Sequence, residues 1–217
     1  KAPNMTALEI EVKFFLESSE SVEEQAKALG AAFGDAVKES NIRYETRDNA
    51  LYANKSLLRL RRADRSTLLT FKAETRPAQT DYKIHTEYEV SVDSFEMMQN
   101  ILESLGFHQV QVYEKQRRTS QMGDVTLCLD TMPYGVFLEL EGPGEAIRQV
   151  AGRLGLAWED RILMNYLEMF DRIRSEKELA INDVTFENFR AVPPADLAAL
   201  IKSFRAGGSG SPGSRSP

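Results

Sequence analysis

Charged side chains in this chain recur two residues apart, and they are sorted by sign. Glu9 and Glu11, Glu87 and Glu89, and Glu139 and Glu141 make acidic pairs; Arg59 and Arg61, and Lys115 and Arg117, make basic ones. In an extended segment, residues i and i+2 share a face about 7 Å apart, so each pair repels itself unless an opposite charge lies between. Divalent metal ions are the natural counter-groups for the carboxylates, and phosphates for the basic pairs. Lys13 continues the face of Glu9 and Glu11, Lys72 shares one with Thr70, and Asp130 ends the run Leu127-Cys128-Leu129-Asp130. The opposite faces are apolar: Leu8, Ile10 and Val12; Leu58 and Leu60; Leu69 and Phe71; Tyr88 and Val90; Leu138 and Leu140. A sheet with one solvated face also alternates, but such a face mixes polar types without segregating their signs.

The inventory of charge is consistent with one enclosed site. Glu9, Glu11, Glu87, Glu89, Asp130, Glu139 and Glu141 face a balance of Lys13, Arg59, Arg61, Lys72, Lys115 and Arg117. Two divalent ions and a bound triphosphate would leave that set near neutrality, as the cost of burying unpaired charge requires. Oxygen-only donors select a hard cation, Mg²⁺ or Mn²⁺, over Zn²⁺. His85 and His108 lack the partners of a zinc site and read as surface or packing residues. Cys128, the only cysteine, lies in an apolar run and reads as a small buried thiol; no intramolecular disulfide can form.

The elements that must carry these residues follow from period and punctuation. Strands are predicted at 8–16, 40–53, 56–63, 66–75, 81–93, 108–121, 123–131 and 135–141. Helices are predicted at 21–33, with Ser21 as N-cap and Glu24 three positions on, and at 94–105, stopped by Gly106. Further helices are expected at 144–155, 159–176 and 195–205. Glu9-Ile10-Glu11-Val12 and Glu87-Tyr88-Glu89-Val90 each open a strand–helix–strands run, so two β-α-β-β-β halves would supply eight strands, enough to close a small barrel.

The 217 residues suffice to bury a core. The net charge of −6 gives no means of holding nucleic acid by bulk electrostatics. No signal pattern opens the chain and no apolar run approaches the ~18 residues of a membrane span, so a cytoplasmic protein without a membrane partner is expected. The helices outside the barrel, 159–176 among them, offer an apolar surface for a homodimer or for packing within the chain. Residues 206–217, AGGSGSPGSRSP, read as a disordered tail.

Glu9-Ile10-Glu11-Val12-Lys13 resembles the N-terminal E-x-E-x-K signature of the CYTH superfamily, the triphosphate tunnel metalloenzymes. Leu58-Arg59-Leu60-Arg61, Leu69-Thr70-Phe71-Lys72, Glu87-Tyr88-Glu89-Val90, Glu114-Lys115-Gln116-Arg117, Leu127-Cys128-Leu129-Asp130 and Gly135-Val136-Phe137-Leu138-Glu139-Leu140-Glu141 follow in that family's order. The resemblance continues weakly to Asn165-Tyr166-Leu167-Glu168. It implies an α+β protein: an eight-stranded antiparallel closed β-barrel with a charged tunnel and helices on its outer surface, over residues 5–177. A partly helical extension, 178–205, has no counterpart in it. Glu9, Glu11, Glu139 and Glu141 are implied as leading metal ligands, with Glu87, Glu89 and Asp130 as further acidic members. Lys13, Arg59, Arg61, Lys72, Lys115 and Arg117 are implied to hold phosphates, and Glu9, Glu11, Lys13, Glu139 and Glu141 to form the catalytic set. The chain departs from the pattern at His85, where many members carry Arg, and at Ala73-Glu74, where many carry Gly-Pro.

The family's chemistries divide between hydrolysis of triphosphates and cyclisation of ATP. A triphosphate-bearing small molecule is the expected partner, and metal-dependent hydrolysis the first expectation, because every inward group found addresses phosphate or metal. A class IV adenylyl cyclase forming cyclic AMP and pyrophosphate is the alternative, and a non-catalytic binder of polyphosphate or nucleotide the third.

Overall fold

A computed structural model describes residues 7–64, 66–74 and 81–207. Eight strands alternate between an apolar outer face and a charged inner one: β1 (Ala7–Leu16), β2 (Val37–Glu45), β3 (Ser56–Ala63), β4 (Ser66–Glu74), β5 (Lys83–Ser91), β6 (His108–Met122), β7 (Val125–Met132) and β8 (Gly135–Glu141). They pair in the order β5-β4-β3-β2-β6-β7-β8-β1, all antiparallel, and β1 returns to β5. The result is the closed eight-stranded barrel expected. Its two halves repeat strand, helix and three strands, with α1 (Glu20–Ala28) after β1 and α3 (Phe95–Ser104) after β5; a single turn, α2 (Ala50–Ala53), interrupts the first half.

The outer face forms two helix-covered cores. Val12 and Phe14, Leu127 and Leu129, and Leu138 and Leu140 pack beneath Val22 and Ala26 of α1 and Ile147 and Val150 of α4 (Gly144–Arg153). Ile42, Leu58 and Leu60 pack with Leu102 of α3. Each such side chain contributes about 1.5–3 kcal/mol by leaving water. Helices α1, α3 and α4 all end with paired bonds that turn the chain back, Ala31 N to Ala26 O, Phe107 N to Leu102 O and Leu156 N to Ala151 O. Each needs a left-handed residue, supplied by Gly30, Gly106 and Gly155.

One end of the barrel is filled. Leu57, Tyr113, Tyr134 and Phe137 pack with α5 (Tyr166–Glu176) and with Val184, Phe189, Leu197, Ile201 and Phe204 of the C-terminal extension, which includes α6 (Ala198–Lys202). Val184 adds a parallel bridge to Tyr113. The apolar side of α5 is thus covered within the chain. Among the described residues no helix is long and apolar enough to cross a membrane.

Four elements depart from expectation by more than two residues at one or both ends. The first helix starts after Ser19 rather than at Ser21 and stops at Ala28 rather than 33, because Gly30 reverses the chain. The extended segment at 40–53 is β2 followed by helical residues 50–53: Glu45 accepts from the backbone N–H groups of Thr46, Leu51 and Tyr52 and folds the chain over. The helix at 159–176 begins only at Tyr166, capped by Asn165 and Glu168 in a reciprocal box. Residues 161–162 instead form β9 (Arg161–Ile162), which pairs with Lys13 and Phe14 on the edge of β1 beyond the end of β5. The helix at 195–205 is reduced to Ala198–Lys202 behind a tighter turn at Pro194–Asp196. Of the tail, 208–217 lie outside the described residues, whereas Ala206 and Gly207 are bonded to Arg161 and Glu159.

Candidate active site

The inward positions of the strands bring all the predicted site residues to the tunnel. Antiparallel pairing puts Glu11 opposite Glu141 and Lys13 opposite Glu139 across β1 and β8. It also sets Lys72 opposite Glu87 across β4 and β5, and Arg117 opposite Asp130 across β6 and β7. Alternation fixes the face; register fixes the partners.

Glu9, Glu11 and Glu141 converge: one carboxylate oxygen from each lies within 4.8 Å of the others. Glu139 adjoins this triad through a hydrogen bond with Glu141 but is not one of its three converging members. It takes Lys13 Nζ at 3.2 Å and Arg117 at 3.4 Å, while Lys13 also donates to Glu11. Glu87 lies across Lys72, whose ammonium bridges it to Glu9. Glu89 receives Thr70 at 2.8 Å and Arg61 at 3.2 Å, with Arg59 at 3.6 Å. Asp130, fully buried, commits its oxygens to Arg117 (2.7 and 2.6 Å), Lys115 (3.0 Å) and the Tyr166 hydroxyl (2.9 Å).

The carboxylates titrate apart. Glu139 is buried, which opposes ionisation, yet Lys13, Arg117 and Lys115 hold it well below the usual range. Its neighbour Glu141 is pushed up to about 8 by burial and by the Glu139 charge. Glu9 is lowered against its own burial by Lys72, and Glu87 is raised by burial and by Glu9. In each pair one carboxylate is driven toward ionisation and the other toward its protonated form, because burial and the neighbouring negative charge act on the second without enough positive charge to offset them. A divalent cation would supply that missing charge. Three convergent oxygen donors, one of them raised toward its protonated form by burial and by the Glu139 charge, fit a hard ion such as Mg²⁺ or Mn²⁺.

Several tunnel residues had not been singled out. Glu39 of β2 faces Arg61 (3.4 Å) and Lys115 (3.6 Å) and is held ionised by them despite burial. Residues 83, 85, 87 and 89 share one face, so Lys83 and His85 also point inward. Burial brings Lys83 down to about 8, with Lys13 adding to the effect. His85, read as a surface or packing residue, has its ring beside Glu9; burial and then Lys83 and Lys72 bring it down to about 3. The alternation already marking Glu87 and Glu89 carried the signal for both. Glu39 fell one residue before the strand expected at 40, and Tyr166 sits on a helix whose start was misplaced. Cys128 is buried with its thiol toward Glu141 at 3.7 Å, and burial raises its pKa, which makes it inert.

Comparison with known proteins follows the same line. The CYTH domain matches residues 7–159. A candidate adenylate cyclase of Methanocaldococcus jannaschii is 26% identical over 172 residues, covering 79% of this chain and 92% of its own. The PH1012 protein of Pyrococcus horikoshii superposes with a TM-score of 0.64 at 27% identity, over 74% of this chain and 98% of that one. A Hippeastrum protein, described as a candidate adenylyl cyclase with a dominant triphosphatase activity, shares the fold at a TM-score of 0.57 and 19% identity, over 79% of this chain and 98% of its own. A match spanning residues 7–159, on a closed barrel whose inward carboxylates and cations are now placed, means that this chain belongs to the CYTH family.

Proposed function

We propose that this protein hydrolyses a triphosphate, inorganic or organic, with a divalent cation at Glu9, Glu11 and Glu141. The observation that carries this reading is the placing of that carboxylate triad in the same tunnel as Lys13, Lys72, Arg59, Arg61, Lys115 and Arg117. When bound, a divalent ion draws charge from phosphate oxygens and lowers the pKa of water.

The chain's own groups do the seating. Each candidate phosphate-binding cation is now neutralised by a carboxylate: Lys72 by Glu9 and Glu87, Arg61 by Glu39 and Glu89, Arg117 by Asp130. Substrate phosphates would take over part of those contacts, with guanidinium forks gripping paired oxygens and ammonium groups acting as point charges. Phe137, Tyr134 and Tyr166, all buried, pack ring against ring as an apolar plug at one end of the tunnel. In the reaction proposed, water oxygen bonds to the terminal phosphorus as its bond to the bridging oxygen breaks; the diphosphate departs with that oxygen, the terminal phosphorus becomes orthophosphate, and the water proton passes to the phosphate products or solvent.

A cyclase is the second reading, favoured by the description of the Methanocaldococcus relative. It uses the same cations but directs the ribose 3′-hydroxyl at the α-phosphorus. Phosphorus NMR of the protein with Mg²⁺ or Mn²⁺, given tripolyphosphate and ATP in parallel, separates the two. Orthophosphate and pyrophosphate from tripolyphosphate are the expected products. Cyclic AMP and pyrophosphate from ATP would replace the hydrolase with the cyclase, and binding without turnover would exclude both.

A further inference from the structure

We propose that His85 is a nitrogen donor to the cation at Glu9, Glu11 and Glu141, so that the site favours first-row transition ions over Mg²⁺. This rests on the reading that those three carboxylates hold a cation.

His85 stands directly opposite Glu9 in the pairing of β5 with β1, on the same inward face. The residue is only 9% exposed, and its Nδ1 is buried without a hydrogen-bond partner among the described residues. A buried nitrogen left unpaired costs about 1–3 kcal/mol, so its retention in a charged wall asks for a partner. The nitrogen lies 4.0 Å from Glu9 Oε2. That is too long for a hydrogen bond but suits two ligands of one ion, since donors each ~2.0–2.2 Å from a shared ion stand at most about 4.4 Å apart.

Among the described residues nothing else facing the ring serves it. Its charged neighbours are Lys83, Lys72, Lys13 and Glu9, and none makes a hydrogen bond to Nδ1. Lys72 occupies Glu9 Oε2 but also reaches Glu87 Oε2 at 3.2 Å, so it can retire to Glu87 when a cation takes Glu9. His85 is not one of the three converging carboxylates; it joins from the Glu9 side, converting an all-oxygen set into a mixed one. Imidazole strengthens binding of later first-row ions and does little for Mg²⁺, which prefers oxygen.

The test uses the full chain, stripped of metal, freed of any His-rich tag and kept without substrate. With Mn²⁺ bound, pulsed EPR should show ¹⁴N modulation from a coordinated imidazole, and His85→Gln should abolish it. The same variant should weaken Co²⁺ binding by about 10–100-fold in calorimetry while changing Mg²⁺ binding less than about threefold. A bound Mn²⁺ without nitrogen coupling, or equal losses for Co²⁺ and Mg²⁺, overturns the proposal. Metal binding that is lost in Glu9→Gln but intact in His85→Gln overturns it alone. A wild-type protein that binds no divalent ion overturns it together with the reading beneath it. The wild-type spectrum decides the matter even if the variant does not fold.

Discussion

The Tyr166 hydroxyl donates to Asp130 Oδ2 at 2.9 Å, joining the first turn of α5 to the floor of the tunnel. Asp130 is thereby the junction between the plug and the tunnel cations Lys115 and Arg117. Tyr166→Phe keeps the ring in its aromatic contacts with Phe137 and removes only the hydroxyl. A hydrogen bond to a charged group is worth about 1.5–3 kcal/mol, so the variant should lose about that much unfolding free energy and reach its urea midpoint at a lower concentration. An unchanged midpoint would show that α5 is held by packing alone.

Asp130 also predicts the acid limb of stability. Burial raises its pKa, but Arg117 and then Lys115 outweigh that and hold it below the usual aspartate range. Because the folded pKa is the lower one, the stabilisation is complete above the unfolded value, ~3.9, and is lost as pH falls toward the folded one. Asp130→Asn should be less stable at neutral pH by about 3–5 kcal/mol, since Lys115 and Arg117 then lack their buried partner. Its stability should also fall less steeply than wild type between about pH 5 and pH 2. Parallel curves for the two proteins in that window would refute the assignment.

Alternation made the barrel legible from sequence because the side-chain period of a strand is an exact two and sign-sorted charges reveal the face. The strands at 56–63 and 135–141 were bounded as found, and Lys13, Arg59, Lys72 and Glu139 reached the tunnel as expected. Where structure depended on partners distant in sequence, the reading faltered. Residues 161–162 become a strand only because the edge of β1 beyond Glu11 needs a partner, and no local pattern says so. Likewise alternation puts His85 on the face of Glu87 and Glu89, but its place opposite Glu9 comes from register across two strands. The sorting of the acidic residues into a triad and separate ion pairs was also beyond sequence, since it depends on strand stagger around a closed barrel.

Glu141→Gln tests the triad. The amide keeps the shape but loses the charge, leaving Glu9 and Glu11 to hold a cation by themselves. Calorimetric titration with Mn²⁺ should show affinity lowered at least about tenfold, or about 1.4 kcal/mol. Glu89→Gln, whose carboxylate serves Thr70 and Arg61, should leave Mn²⁺ binding close to wild type. Equal losses in both would mean that general tunnel charge, not these three oxygens, holds the ion.

Arg61 and Glu139 should separate binding from turnover. Arg61 reaches Glu89 and Glu39 only through contacts of 3.2 and 3.4 Å, contacts that an arriving phosphate can replace. Arg61→Ala removes a charge-assisted donor worth about 1.5–3 kcal/mol, so KM for tripolyphosphate should rise about 10–100-fold with kcat little altered. Glu139 instead holds Lys13 and Arg117 in place, and Glu139→Gln should chiefly lower kcat. Identical losses in kcat and KM for the two variants would exclude separate roles.

Gly142 fixes where Glu141 can sit. It follows Glu141 at the end of β8 with φ of 151°, and its N–H donates to Ile10 O on β1. A Cβ added there would lie 2.6 Å from the backbone oxygen of Asp124, in the turn between β6 and β7. Neither that backbone nor the β1 pairing can yield without moving a ligand strand. Gly142→Ala should therefore cost about 1–3 kcal/mol of stability. Because the displacement begins one residue from the triad, Mn²⁺ affinity should fall in the same protein. Gly152→Ala is the control: it lies within α4, where an added Cβ meets nothing within 4 Å and favours the helix. Calorimetry on the two folded variants should find Mn²⁺ binding weakened only by the first. A Gly142→Ala protein with wild-type stability and metal affinity would show that β8 has room to shift, and that Glu141 is not held by its backbone.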